Sequence, residues 1–282
     1  MAKVLGDTVS LGQLVLIRFV VQAGILLPIV WITGKRLWLS GRVLRLAWRR
    51  TVLHILGIGG MFTSLQFLPL ADAIAIAFVM PFIMLLLGHL VLGEEVGARR
   101  MIACAVGFGG TLLVVQPNFV DVGAIALLPM GVAVVFALFM LTTRQIAKDV
   151  DPIALQALSG VMATGILLPL IVIGSSAGFT PLTLSMPSDT QTWMLFAALG
   201  ALGTLAHLMM TWSLRFAPSA TLAPMQYLEI PFATVIGYFM FTEFPNALAA
   251  LGIAITMGAG VYVILREQAT ARRLAKTVPP TA

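Results

Sequence analysis

The densest group of chemistry-bearing side chains is a short run in which Gln226, Tyr227 and Glu229 stand between Pro224 and Pro231. A carboxylate inside an apolar stretch can contact a cation, or carry a proton if burial raises its affinity for one. Pro224 and Pro231 have no N–H, so nearby carbonyls lose their helical donors and are free to face a cavity. Glu229 lies about 11 residues into its apolar stretch. At 1.5 Å per residue that is ~16 Å, near the middle of a bilayer core about 30 Å thick. The other ten acidic residues fall near the ends of such stretches. The competing reading of Glu229 is a structural carboxyl bonded to a neighbouring helix.

Other candidates are dispersed. Arg18 and Asp72 sit near the same face, and two readings stay open: a guanidinium fork for a substrate carboxylate, or a pair tying two helices together. His54, His89 and His207 occur singly, without the H-E-x-x-H spacing of a zinc site, and no metal or cofactor is expected. Among them His207, followed by Met209, Met210 and Trp212, is the best cavity candidate; Gln66, just before an outer turn, is a weaker one. Gly57–Gly60 and Gly107–Gly110 lack the Lys-Ser/Thr ending of a phosphate loop and read as helix-packing glycines. Glu94 and Glu95 beside Arg99 and Arg100 read as a solvated charge cluster that could also latch a gate. The single cysteine, Cys104, cannot form an internal disulfide.

The elements that must position these residues follow from composition. Of 282 residues, 60% are apolar and 10% charged, against about 25% charged in soluble domains. The expected fold is all-α, a polytopic membrane helix bundle. Nine apolar stretches are long enough to span, at about 14–33, 51–70, 72–92, 98–116, 122–143, 153–174, 191–213, 218–241 and 246–265. None shows the short alternating segments of a β-barrel. Fifteen of the seventeen Lys and Arg fall on alternate connections, Lys35 to Arg50 among them, and the connections between carry none. By the positive-inside rule this places the C-terminus in the cytoplasm, and it explains the net charge of +6 as orientation rather than nucleic-acid binding. The stretch from Lys35 to Arg50, with Trp38 and Trp48, reads as lying on the inner membrane surface. The tail beyond Arg266, ending Pro279-Pro280, reads as disordered.

Residues 67–115 resemble residues 215–263 in order and character: a short Pro-containing turn, a proline-bearing helix, an acidic residue (Glu94; Glu243) and a Gly-rich helix. The charge pattern gives the two blocks opposite orientation, which is the inverted repeat of secondary transporters. The stretches Phe67–Ala73 (FLPLADA), Gly93–Glu95 (GEE), Gly107–Pro117 (GFGGTLLVVQP), Ala223–Glu229 (APMQYLE) and Phe241–Pro245 (FTEFP) resemble EamA-type transporters of the drug/metabolite transporter superfamily. That resemblance implies two inverted five-helix repeats around a cavity lined mainly by the third, fourth, eighth and ninth helices. In this chain the first helix of the pattern is missing, and residues 1–7 look like its end and following loop; either the start codon is assigned too far downstream or the chain has nine helices. The expected repeats are 1–117 and 118–265, with 266–282 a basic cytoplasmic tail.

The expectation is therefore a secondary transporter, not an enzyme, in a plasma membrane (the inner one in a Gram-negative cell). It would move an amino acid, amine, nucleoside-like or drug-like solute by alternating access. Expected partners are the solute, the bilayer, a coupling proton through Glu229, and a homodimer as a candidate assembly, with no nucleic acid. The contending class is a flippase-like protein or membrane scaffold.

Overall fold

The computed structural model describes residues 9–35, 37, 39, 41–68, 70–116, 123–187, 189–232, 235 and 246–277. Among them the chain is helical, and its contacts divide it into two units. The first comprises Met1–Leu68 and Leu127–Phe216; the second, Pro69–Ala126 and Ala217–Ala282. The chain leaves the first unit at Leu68/Pro69 and again at Phe216/Ala217. These points lie about 148 residues apart, the offset that relates the two sequence blocks.

The first unit holds α1 (Leu11–Ile32), α2 (Gly41–Phe67), α6 (Leu127–Ile146), α7 (Pro152–Ser176) and α8 (Thr190–Phe216). Ser10 caps α1 by accepting from the Gln13 N–H. Asp151 caps α7 by accepting from the N–H groups of Ile153 and Ala154, with Pro152 at the first helical position, where its missing N–H costs nothing. Phe19, Ile58, Ala163, Leu167 and Ile171 form a core between α1, α2 and α7. At Gly160 an added Cβ would lie 3.0 Å from the Ala23 nitrogen, so α7 meets α1 backbone to backbone, as expected where small residues line a membrane helix contact.

The second unit holds α3 (Leu70–Ala77), α4 (Met80–Leu92), α5 (Ala98–Val115), α9 (Ser219–Leu222), the 3₁₀ turn Pro224–Leu228 and α10 (Ala247–Thr277). Both proline-bearing segments are discontinuous. Pro81 cannot donate to the carbonyl of Ala77, and the Phe82 N–H turns back to Val79 at 3.0 Å, so the helix breaks at Phe78–Val79. In the second block α9 stops at Ala223, and Pro224 opens the 3₁₀ turn. Helices α5 and α10 touch through Gly110 and Gly252, whose neighbours leave no room for a Cβ on either.

Seven helices among the described residues are long and apolar enough to cross a membrane, including Ala73–Leu92 taken across its break. The two remaining stretches fall short for different reasons. The α2 helix carries Arg50, His54 and Gln66 within its 27 residues, and the eighth stretch is broken at Pro224 and lies partly outside the described residues.

Two expectations are corrected. The α2 helix begins at Gly41 and buries Arg50 completely, so Arg50 is an interior residue rather than a connection charge. The α10 helix continues to Thr277 instead of fraying at Arg266, because no Gly or Pro interrupts a run of good helix formers before that point.

Candidate functional site

Two polar groups stand out, one in each unit. In the second, Tyr227 is fully buried and its hydroxyl donates to the carbonyl of Phe78 at 3.0 Å. Phe82, which would serve that carbonyl in a continuous helix, bonds to Val79 instead. The break in one block is thus closed by a side chain from the break in the other. Gly107 makes this fit, because a Cβ there would sit 2.5 Å from Tyr227 Cδ2. Gln226, half-buried, donates from Nε2 toward Met84 Sδ at 3.5 Å. Glu229 follows at the end of the 3₁₀ turn and is exposed, with no hydrogen bond to its carboxylate among the described residues. The expected trio therefore sits on one turn, with Tyr227 bracing the break and Glu229 open.

Glu94 belongs to this unit too, and it is more than a solvated charge. Its Oε2 accepts from Ser219 Oγ at 2.6 Å and from the Ala220 N–H at 2.9 Å, and its Oε1 accepts from the Ser219 N–H at 3.1 Å. A carboxylate placed on the first N–H groups of a helix caps it and complements its dipole.

In the first unit, Arg50 has no exposed surface. Its Nε donates to Thr143 Oγ1 at 2.9 Å, Nη1 to Ser159 Oγ at 2.7 Å, and Nη2 to Gln156 Oε1 at 2.8 Å and Thr211 Oγ1 at 3.3 Å. Its guanidinium lies 4.7 Å from the Phe139 ring centroid, a cation–π contact. One helical turn along α2, His54 is also fully buried, stacked on Phe139 at 4.6 Å and beside His207, with ring centroids 4.2 Å apart. Arg18 reaches this pair: Nη1 lies 3.4 Å from His54 Nε2, and Nη2 donates to the Gly203 carbonyl at 3.4 Å.

Of the expected site residues, Arg18 and His207 thus come together through His54, while Gln66 stands exposed near the end of α2. Asp72 falls within α3, but its side chain lies outside the described residues, as does Glu243. Arg18 is held by His54, Gly203 and the Phe19 ring. Sequence reading missed Arg50, His54 and Gln156 as site members. A signal for the first two existed: Ala47, Arg50, Thr51, His54, Gly57 and Ile58 recur at helical spacing, and all are buried.

Outside the spans, the Lys35–Asp151 ion pair (2.7 Å) joins the start of α7 to the connection after α1. Burial pulls the Asp151 carboxyl upward, but the hydrogen bonds from Lys35, Ala154 and Ile153 and the Lys35 charge outweigh it and hold it below the usual range.

Comparison with known proteins agrees with this architecture. The model of the EamA-like transporter family matches residues 1–116 and 123–266. The chain belongs to the EamA-like transporter family. A riboflavin transporter of Rhizobium johnstonii is 29% identical over 242 residues, covering 85% of this chain and 77% of that protein. An S-adenosylmethionine uptake transporter of Rickettsia felis is 25% identical over 268 residues, covering 95% and 87%. A solved crystal structure superposes with a TM-score of 0.75 over 97% of this chain and 92% of that one, at 16% identity, a likeness of fold. This EamA-like chain is a multi-pass membrane protein and a transporter of small molecules, which sets it apart from intramembrane enzymes.

Proposed function

We propose that this protein is a secondary transporter moving a flat, heteroaromatic organic solute by alternating access, with Glu229 as its cation contact and proton-coupling group. The carrying observation is the pair of proline-broken segments joined by Tyr227 and Phe78, with the Glu229 carboxylate on the same turn as Tyr227 and without a hydrogen bond among the described residues. Broken helices beside a midplane site are what transporters with inverted repeats use to bind solute and ions. The exchange of the chain between units at corresponding positions supports reading 1–117 and 118–265 as two repeats. The alternation of basic connections supports a cytoplasmic C-terminus, in a plasma membrane that is the inner one in a Gram-negative cell. Relatives named for riboflavin and S-adenosylmethionine transport support a ring-bearing solute.

The test is uptake of labelled riboflavin and S-adenosylmethionine into vesicles holding the purified protein, with and without a proton gradient. Uptake of at least one, accelerated by the gradient, is expected. Glu229→Gln should abolish the acceleration. Wild-type uptake by that variant from pH 5 to 8 would refute the coupling role.

A further inference from the structure

Helices α1, α2, α6, α7 and α8 contain no Asp or Glu, yet their interior holds Arg18, Arg50 and His54, with the half-buried His207 beside them. The acids of this unit among the described residues lie at helix ends: Asp149 is exposed in a turn, Asp151 pairs with Lys35, and Asp189 accepts from the Thr192 N–H. Among the described residues, therefore, no carboxylate lies beside these two buried guanidinium groups. A buried cation is retained only where other groups compensate for lost water.

The two arginines differ in how far that compensation goes. Arg50 directs its nitrogens at four neutral acceptors, three of them at 2.7–2.9 Å, and covers an aromatic face. Its needs are met inside the fold. Arg18, 5% exposed, has five N–H donors and, among the described residues, two polar contacts, both stretched to 3.4 Å, near the limit of a hydrogen bond, beside its cation–π contact with Phe19. If Arg18 donates to His54 Nε2, the His54 proton sits on Nδ1, and that buried atom has no partner among the described residues; the Nδ1 of His207 has none among them either. The cluster thus combines a cation whose donors are poorly engaged with imidazole atoms lacking partners. Gly203 makes room for it, since a Cβ there would lie 2.7 Å from Arg18 Nε. Gly203 and His207 are half-exposed, so the cluster reaches accessible surface along α8.

We propose that Arg18, with His54 and His207 beside it, binds a carboxylate or phosphate group of the transported solute along α8, where the missing side chain of Gly203 lets the guanidinium lie. A planar fork is the geometry that receives an oxyanion through two parallel bonds. Binding there supplies the missing negative charge and shorter hydrogen bonds than the 3.4 Å contacts. The word solute rests on the transport reading above; the anion site does not depend on it.

The test uses the full chain in neutral detergent, melted thermally while acetate or inorganic phosphate replaces chloride at constant ionic strength. A saturable rise of several degrees in melting temperature is expected. Arg18→Gln and Gly203→Ala should each weaken the half-saturating concentration at least tenfold, the second without removing any charge, while Arg49→Gln at an exposed neighbour of Arg50 leaves it unchanged. If Arg18→Gln does not fold, Arg18→Lys takes its place, keeping the charge and losing the fork. No saturable response in the wild type, or a full response in Gly203→Ala, overturns the proposal. So does a response elicited by phosphatidylglycerol vesicles and not by free acetate or phosphate, which would assign the site to a lipid headgroup. Vesicle flux reads the transport claim separately: flux without an oxyanion response sinks this site alone, and an oxyanion response without flux sinks transport alone.

Discussion

Tyr227→Phe isolates the bond that joins the two broken segments. The substitution keeps the ring in the space left by Gly107 and opens no cavity, so its effect is confined to the hydroxyl. Removing a neutral hydrogen bond costs about 0.5–1.5 kcal/mol, and leaving a buried carbonyl unsatisfied brings the total to roughly 1–3 kcal/mol. Phe78 is where the larger figure applies, because the N–H that would serve its carbonyl in a continuous helix is engaged at Val79. Unfolding of the purified protein in mixed detergent, followed by tryptophan fluorescence, should therefore show a loss of roughly 1–3 kcal/mol. Gly107→Ala strikes the same ring from the other side and should cost about 1–3 kcal/mol through overpacking. Truncating Tyr227 to Ala makes room for the new methyl, so the two changes should couple by at least about 0.5 kcal/mol in a double-mutant cycle. A Tyr227→Phe protein as stable as wild type would refute the strut. Strictly additive Gly107→Ala and Tyr227→Ala effects would refute the cradle.

Arg50→Lys keeps a buried charge but loses the fork that reaches four acceptors, so it should destabilise more than Arg50→Met, which discards the charge and leaves chiefly Gln156 Oε1 without its donor, at about 1–3 kcal/mol; chemical unfolding of both variants gives the order. Gly252→Ala places a methyl against the backbone of Gly110 and should cost about 1–3 kcal/mol, whereas Gly258→Ala on the same helix meets nothing within 4 Å and should be neutral or stabilising by about 0.5–1 kcal/mol; parallel thermal melts compare them. The depressed Asp151 carboxyl contributes stability that is complete above the ordinary aspartate value near ~4 and is lost as pH falls through the lower folded value. Asp151→Asn should therefore flatten the acid limb of a pH-stability curve, with a small amplitude because the ion pair is part-exposed.

Apolar run length, proline placement and the recurrence of residues 67–115 in 215–263 were enough to indicate a helical membrane protein, two matching proline-bearing segments, and Gln226, Tyr227 and Glu229 as neighbours. These are local properties: a span needs a minimum apolar length, a proline removes its own N–H, and residues three apart share a turn wherever the segment lies. Tertiary structure alone decided that Arg18, His54 and His207 meet, which acceptors receive Arg50, and that Tyr227 seals the break at Phe78. Helical periodicity tells which face of a segment is buried but not which other face it meets, and these partners come from segments separated by 36 to 153 residues. Arg50 was misplaced because charge suggests a connection, whereas Thr143, Gln156, Ser159 and Thr211, three helices away in all, are what make a buried guanidinium tolerable.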